Sequence, residues 1–383
     1  MNYRALGKTD LMVSEIGLGG EWLEKHSTEE VASIIGYCKE KGINILDCWM
    51  SEPNVRSNIG RAIKGSREYW IIQGHIGSTW QNGQYVKSRD VKKAEKAFTD
   101  LLTRFETDYI DLGMIHFVDE EKEFHEIMNG EFYAYASSLK QKGIIRHIGM
   151  STHNPKVARL AAERKSIEMI LFSVNPAFDM LPASEDLNVY FEAETYGQNI
   201  GGINPERAEL YRICEQNGVG ITVMKGYAGG RLFDAKTSPF GVALTPVQCL
   251  HYALTRPSVA SVLVGVDSKE HVDAAIAYEN ASENEKDYAT TLAGAPYHAY
   301  SGQCTYCGHC TPCHSGIDIA MVNKLYDLAT MQSDVPDTLR AHYQHLSANG
   351  KDCIGCGGCE SRCPFGVHVI ERMKQAEALF RNT

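Results

Sequence analysis

Between residues 14 and 266, short runs that are almost wholly apolar alternate with longer stretches whose apolar positions recur every three or four residues. The runs are SEIGLGG, INILDCW, YWIIQGHIG, YIDLGMIHF, RHIGMST, MILFSVN, GITVMKG and SVLVGV. Several are apolar at consecutive positions, as strands buried on both faces are. Between them, TEEVASIIGYCKEKG, SRDVKKAEKAFTDLLTRFE, NPKVARLAAERK, PERAELYRICEQNG and TPVQCLHYALTR have the period and end signals of helices. Eight βα units in succession, after a short polar lead-in, predict an α/β fold: a closed (β/α)8 TIM barrel over residues 1–290. A doubly wound open sheet is the alternative, disfavoured because no G-x-G-x-x-G follows the first strand.

In such a barrel the connections after the strands build the active site. That places Trp22, Trp49 and Trp80, which follow strands one, two and three, around one rim as the aromatic wall of a substrate pocket. Simple packing is the competing role for each. The connection after strand six, PAFDMLPASEDLNVYFEAETYGQNIGGIN, is too long for an ordinary linker and reads as a lid or substrate loop, with a solvated insertion as the alternative. From Pro296 the texture changes, and residues 296–383 form a second, small α-helical domain. Its segment DIAMVNKLYDLATMQSDVPDTLRAHYQHLS reads as two short helices between groups of cysteines.

Composition narrows the function classes. Of 383 residues, 43% are hydrophobic and 22% charged, an ordinary balance for a globular protein with a sizeable core. The net charge is -10, and no Lys/Arg stripe offers a footprint for a phosphate backbone, so no nucleic-acid partner is expected. No signal-peptide pattern opens the chain and no run of about 18 apolar residues occurs, which predicts a cytoplasmic protein without a membrane partner. The chain carries 12 cysteines, 8 of them between Cys304 and Cys363. Without a secretory signal, metal ligation is a better reading of that density than a disulfide framework.

The stretch CIGCGGCESRCP supplies Cys353, Cys356, Cys359 and Cys363 followed by Pro364, the C-x2-C-x2-C-x3-C-P run of bacterial ferredoxins. Upstream, CTYCGHCTPCH supplies Cys304, Cys307, Cys310 and Cys313, with the last gap shortened and His314 where proline would stand. The tail is thus similar to two-cluster ferredoxins. That resemblance implies one 4Fe-4S cluster on Cys304, Cys307, Cys310 and Cys363, and another on Cys353, Cys356, Cys359 and Cys313. Zinc is the alternative, although triplets at this spacing are poor zinc geometry. The other cysteines, Cys38, Cys48, Cys214 and Cys249, read as small core residues.

The opening YRALGKTDLMVSEIGLGG, the GIN-x-x-D of strand two, and IDLGMIH, HIGMS and MKGYAGGRL further on resemble the aldo-keto reductase family over roughly residues 1–290. With its cysteine tail, the whole chain is similar to bacterial members that carry a ferredoxin-type 4Fe-4S domain. The resemblance implies carbonyl reduction with NADPH by an aspartate, a tyrosine, a lysine and a histidine. Asp47 and His116 fall on the first and last of these, while the tyrosine position reads Glu52 and the lysine position His75. Asp47, Glu52, His75 and His116 are therefore the expected catalytic set. They are able to run proton chemistry, to hold a divalent metal, or to persist as a hydrogen-bonded remnant.

The family's nicotinamide footprint is altered too. Ser151 is kept, but its asparagine partner reads Thr152 and the strand-six glutamine falls on Leu171, four places before Asn175. The phosphate-binding P-G-x-R-S reads Val264-Gly265-Val266-Asp267-Ser268, and the later asparagine reads Ala275. Ser151, Asn175, Lys225, Gly265 and Ser268 remain as cofactor-binding candidates, with Gly265 and Lys225 placed to meet a pyrophosphate. Asp267 sets a negative charge against a 2'-phosphate, so tight NADPH binding is not expected and NADH is less excluded. The reading that follows is an iron-sulfur oxidoreductase passing electrons between two clusters and a small organic, carbonyl or ring-shaped substrate, with ferredoxin or flavodoxin as electron partner. The alternatives are a non-redox lyase or isomerase whose clusters are structural or sensing, an NAD(P)H-dependent carbonyl reductase, and an electron carrier without chemistry of its own.

Overall fold

In the computed structural model, which describes residues 1–192, 194–197, 200–300, 302–330 and 335–381, the eight apolar runs form strands β1 (Ile16–Gly19), β2 (Ile45–Cys48), β3 (Ile71–Ile76), β4 (Ile110–Ile115), β5 (Ile145–Thr152), β6 (Met169–Ser173), β7 (Gly220–Met224) and β8 (Val259–Gly265). All neighbouring pairs are parallel, and β8 pairs back onto β1, so the sheet is a closed barrel rather than an open one. The expected helices form as Thr28–Glu40, Val91–Arg104, Pro155–Ala162, Pro205–Asn217 and Pro246–Leu254. Their starts are chemically marked: Ser27 and Thr245 close capping boxes with Glu30 and Gln248, and Asn154 and Asn204 cap helices that begin with proline.

Two hairpins were not anticipated by the reading of the sequence. The lead-in folds as Tyr3–Ala5 against Met12–Ser14, and Leu6 and Val13 enter an apolar plug with Ile45, Leu112, Met114, Met169, Leu171 and Leu263. A second hairpin, Ser78–Gln81 against Gln84–Lys87, follows β3.

Strand alternation then decides what faces the barrel axis. Ile45 points into the plug and Leu46 into the helical layer, so Asp47 returns to the axis one step higher. The same parity brings Gln73 and His75 inward after Ile71, and His116 inward after Leu112 and Met114. On β5 a side chain at Gly149 would sit 2.4 Å from Met169 Sδ and 2.5 Å from Met114 Sδ, so glycine is what lets those methionines fill the layer below the site. Apolar layers lie beneath, and polar residues gather at the carboxyl ends of the strands, the end where barrels of this kind carry their chemistry.

The described residues of the connection 176–204 form short 3-10 turns at Phe178–Met180, Leu187–Tyr190 and Glu194–Gly197. Buried Tyr190 donates to the carbonyl of His153 (3.2 Å) and accepts at its own carbonyl from Tyr196 (3.0 Å). Ala193, Gln198 and Asn199 of this connection lie outside the described residues. In the carboxyl-terminal region the two expected helices are Ile319–Thr330 and Asp337–His345, the residues 331–334 between them lying outside the described part, and Gly358–Arg362 and Val369–Arg381 complete it. Arg372 ties the first to the last through Asn323 (2.6 Å) and Asp327, and Tyr343 stacks on Phe380 at 4.3 Å. Among the described residues, no helix is long and apolar enough to cross a membrane.

Candidate active site

Three of the four expected catalytic residues join one buried chain of hydrogen bonds. Asp47 Oδ1 lies 2.9 Å from His75 Nε2, His75 Nδ1 lies 2.8 Å from His116 Nδ1, and His116 Nε2 lies 2.7 Å from the hydroxyl of Tyr85. On the other side Gln73 donates to Asp47 Oδ1 (2.8 Å) and accepts from Thr222 (2.8 Å). An ionised carboxylate only accepts, so Nε2 of His75 carries its proton and Nδ1 is left as acceptor; His116 then donates from Nδ1, and Tyr85 donates to its Nε2. The whole sequence of donors points inward, from Tyr85 to Asp47. Burial first, and then the charges of His75, Arg89, Lys87 and His153, hold the His116 pKa well below the ordinary imidazole value, which keeps the ring neutral. Burial pushes the Tyr85 phenol up to about 12, against the opposing effect of Arg89.

Glu52 does not join this chain. Its carboxylate accepts from the Val55 amide (2.7 Å) as the N-cap of the helix Pro53–Ile63, a role that the following proline at the first helical position sets up. We expect Glu52→Ala to cost about 1 kcal/mol of stability through the lost cap, with turnover within a few-fold of wild type; thermal melts and rates on the same preparation check this. A divalent metal does not fit the arrangement either, because all four ring nitrogens of His75 and His116 already have partners in the chain.

The tryptophans divide. Trp49 stacks parallel to His116 (centroids 6.0 Å apart, 9° between planes), with Tyr85 edge-on to it at 5.3 Å. Trp22 and Trp80 stand on the rim, 45% and 38% exposed. Several participants were missed in the sequence. Tyr85 is carried by the hairpin after β3, whose Asn82-Gly83 turn has φ values of 52° and 77°, the backbone that an Asn-Gly pair between strands announces. Beside the chain, Asp119 takes His153 Nδ1 (3.0 Å), the His153 amide (2.7 Å) and the Thr152 hydroxyl (2.9 Å). Burial is the largest influence on Asp119 and acts upward, yet these hydrogen bonds and the charge of His153 hold its pKa below the ordinary carboxylate value.

The candidate cofactor residues are engaged within the framework. Ser151 accepts from the Phe117 amide (2.7 Å), and Asn175 bridges the Lys225 carbonyl (2.9 Å) and the amides of Ala177 and Phe178 (3.0 and 2.8 Å). Lys225 leans toward Glu21 (4.0 Å), the Trp22 indole covers Gly265, Ser268 caps the helix Lys269–Ile276, and Asp267 pairs with His271 (2.7 Å).

Away from the barrel mouth, the cysteines gather into two sets. Cys304, Cys307, Cys310 and Cys363 line one small cavity with Phe365, Val367 and Val369; Cys313, Cys353, Cys356 and Cys359 line another with Ile317, Ile319 and Met373. None is in a disulfide. Burial pushes the thiols of Cys304 and Cys310 up to about 12, so ionised sulfurs there need a bound cation, and four sulfurs about an apolar-walled cavity suit an iron-sulfur cube. The first set is the inner one: the carbonyl of Thr305 accepts from Arg256 and from Tyr288 (2.9 Å), and Tyr300, its ring tilted against Phe365 at 6.0 Å, donates to the Pro176 carbonyl (2.8 Å) at the barrel mouth. The second is the outer one, with Cys356 exposed beside Ile354, which is 71% exposed.

Both parts of the chain resemble known proteins. Residues 303–368 match the 4Fe-4S dicluster domain, and residues 15–245 match the Aldo/keto reductase family. The oxidoreductase YqkF of Bacillus subtilis is 30% identical over 292 residues, which are 73% of this chain and 92% of that one. The aldo-keto reductase AKR11C1 of Bacillus halodurans shares the fold at a TM-score of 0.57 and 24% identity, over 75% of this chain and 94% of that structure. A putative aldo-keto reductase of Pseudomonas aeruginosa does so at 0.55 and 22%, over 72% and 93%. With a family match over more than half its length and a relative spanning most of the barrel, the chain belongs to the aldo/keto reductase family, as an oxidoreductase that carries a 4Fe-4S dicluster domain.

Proposed function

We propose that a small organic substrate at the barrel mouth exchanges electrons with two 4Fe-4S clusters and a proton with the chain Tyr85, His116, His75, Asp47. The observation that carries this reading is the sorting of eight cysteines into two cavities, one of them packed against the barrel. Cys304, Cys307, Cys310 and Cys363 hold the inner cluster and Cys313, Cys353, Cys356 and Cys359 the outer; bound there, the clusters supply one-electron transfer. The exposed edge at Cys356 is the side from which an electron partner such as ferredoxin or flavodoxin is served.

The proton side belongs to the barrel. With Asp47 ionised, the phenol oxygen of Tyr85 takes a proton from substrate as its own passes to His116 Nε2, the Nδ1 proton of His116 passes to His75, and the Nε2 proton of His75 passes to Asp47. The reverse sequence delivers that proton to a carbonyl. A carbonyl becomes an alcohol by taking two electrons, which bound clusters would supply one at a time from the electron partner, and two protons, one from Tyr85 and one from water. Trp49 and Tyr85 form the inner wall for a flat or apolar substrate, with Trp22 and Trp80 at the rim.

Anaerobically purified protein is expected to hold about eight irons and eight acid-labile sulfides per chain. Cys356→Ser should halve both and leave one cluster's spectrum intact; zinc without visible absorption would sink the reading. NADPH is not the donor in this reading, since Lys225 is turned to Glu21, Trp22 covers Gly265, and Asp267 repels a 2'-phosphate. Calorimetry should show no micromolar affinity for NADPH, and tight binding would restore an ordinary reductase.

A further inference from the structure

A cation that the barrel's proton chemistry leaves unused is buried beside the inner cysteine set. Arg256, 2% exposed, follows the helix Pro246–Leu254. Its Nη2 donates to the carbonyl of Thr305, which lies between Cys304 and Cys307 in the chain and lines the same cavity. Nη2 also meets the hydroxyls of Thr255 (3.1 Å) and Tyr288 (3.3 Å). Its Nε and Nη1 have no hydrogen-bond partner, and the guanidinium lies against the rings of Tyr252 (4.5 Å) and Tyr306 (5.6 Å). Among the described residues, no carboxylate stands within ion-pair distance of it. Asp179 is reached only through Tyr252, whose hydroxyl donates to it (2.8 Å), and Asp179 is itself paired with Arg207 at 3.3 Å.

Burying a cation without an anion is costly, and ring faces return only part of that cost. The remainder is offset if a negative group occupies the cavity that Thr305 lines. Four thiolates around an iron-sulfur core are such a group, and a one-electron reduction makes it more negative still. We infer that Arg256 is the barrel's counter-charge for the cluster on Cys304, Cys307, Cys310 and Cys363, favouring its reduced state and raising its reduction potential. This rests on the reading that the cysteines hold clusters. Burial alone acts in the opposite direction, because a low-dielectric surrounding penalises the more highly charged state. Among the described residues no buried arginine lines the outer cavity: Arg362, which does line it, is exposed and screened by water, and its Nη2 donates to the carbonyls of Cys310 (2.7 Å) and Pro312 (2.8 Å). The barrel therefore sets the potential of one cluster and not of the other.

The test is a dithionite titration of the anaerobically purified holoprotein, followed by electron paramagnetic resonance, in wild type, Arg256→Gln and Arg256→Lys. Cys356→Ser, which retains only the inner cluster, assigns the two midpoints. In Arg256→Gln with full iron content, the inner midpoint falls by about 59 mV or more, a tenfold change in the one-electron equilibrium, while the outer midpoint stays in place. Arg256→Lys keeps at least half of that stabilisation. An unmoved inner midpoint, or a shift confined to the outer one, overturns the inference. Wild-type protein without iron would instead bring down the cluster reading itself. Should Arg256→Gln fail to retain the inner cluster, the iron content of Arg256→Lys decides: retention of that cluster with a positive charge restored supports the assignment, and its loss in both variants while the outer cluster stays overturns it.

Discussion

Tyr85→Phe is expected to lower turnover by about 10²-fold or more, the usual weight of a positioned proton-transfer group, while the melting temperature stays close to wild type. The ring remains to pack edge-on against Trp49 and His116, and only the hydroxyl that meets His116 Nε2 is lost. Because burial pushes this phenol up to about 12, the loss should be even across pH 6 to 9 rather than confined to one limb of the profile. His116→Ala breaks the same chain one bond further in and should fall at least as far. The measurement is the oxidation of reduced methyl viologen in the presence of a panel of aldehydes and cyclic ketones. Wild-type rates in Tyr85→Phe with a collapse in His116→Ala would remove the phenol from the relay but keep the site; wild-type rates in both would move the chemistry elsewhere.

Acid should destabilise the fold through its buried histidines. His251 is held down to about 4, from 6.5, by burial first and then by the positive charges of Lys286, Arg256, Arg4 and His309. A histidine whose folded pKa is depressed takes up its proton preferentially in the unfolded chain. Its contribution is therefore complete above pH 6.5 and is lost as pH falls toward 4. For this shift the loss is roughly 3 kcal/mol, and His116, also held well below the ordinary value, adds to it in the same direction. Thermal midpoints of wild type and His251→Gln at pH 7.5 and 4.5 check the account: wild type should lose clearly more between the two, and parallel losses would refute it.

The barrel was legible because its strands are buried on both faces, which leaves near-continuous apolar runs that a helix of that length would not show. The cysteine sets were legible for a similar reason, since ligand spacing is fixed by the size of what is held. Three features were hidden. Glu52 occupies the position of a family tyrosine by count, but Pro53 at the first helical turn and the Val55 amide give it a capping task that alignment by spacing does not see. Tyr85 comes from an element added between β3 and the helix Val91–Arg104, so no barrel position predicts it. Its local signal was the Asn82-Gly83 pair flanked by alternating Trp80 and Tyr85, which marks a two-residue turn and nothing about catalysis. Arg256 carries no motif at all; only its burial beside Thr305 singles it out.

The hairpin that carries Tyr85 is paired over four residues on each side and anchored at its base where the Ser78 hydroxyl donates to the Trp49 carbonyl (2.5 Å) and the Ser88 amide to Gly77 (2.9 Å). A ribbon of that size has an opening equilibrium of its own, separate from unfolding of the barrel. Asp47 and His75 lie on barrel strands and His116 directly follows one, so an opening of the ribbon would withdraw the phenol and leave them in place. If Tyr85 is the acid proposed above, the catalytic rate would be multiplied by the fraction of time the ribbon is closed, which amide exchange across Ser78–Lys87 would read directly. Substitutions on its solvent-facing side that touch no substrate would scale turnover by that fraction, and a transplanted ribbon with the same turn would carry its acid with it into another barrel of this shape.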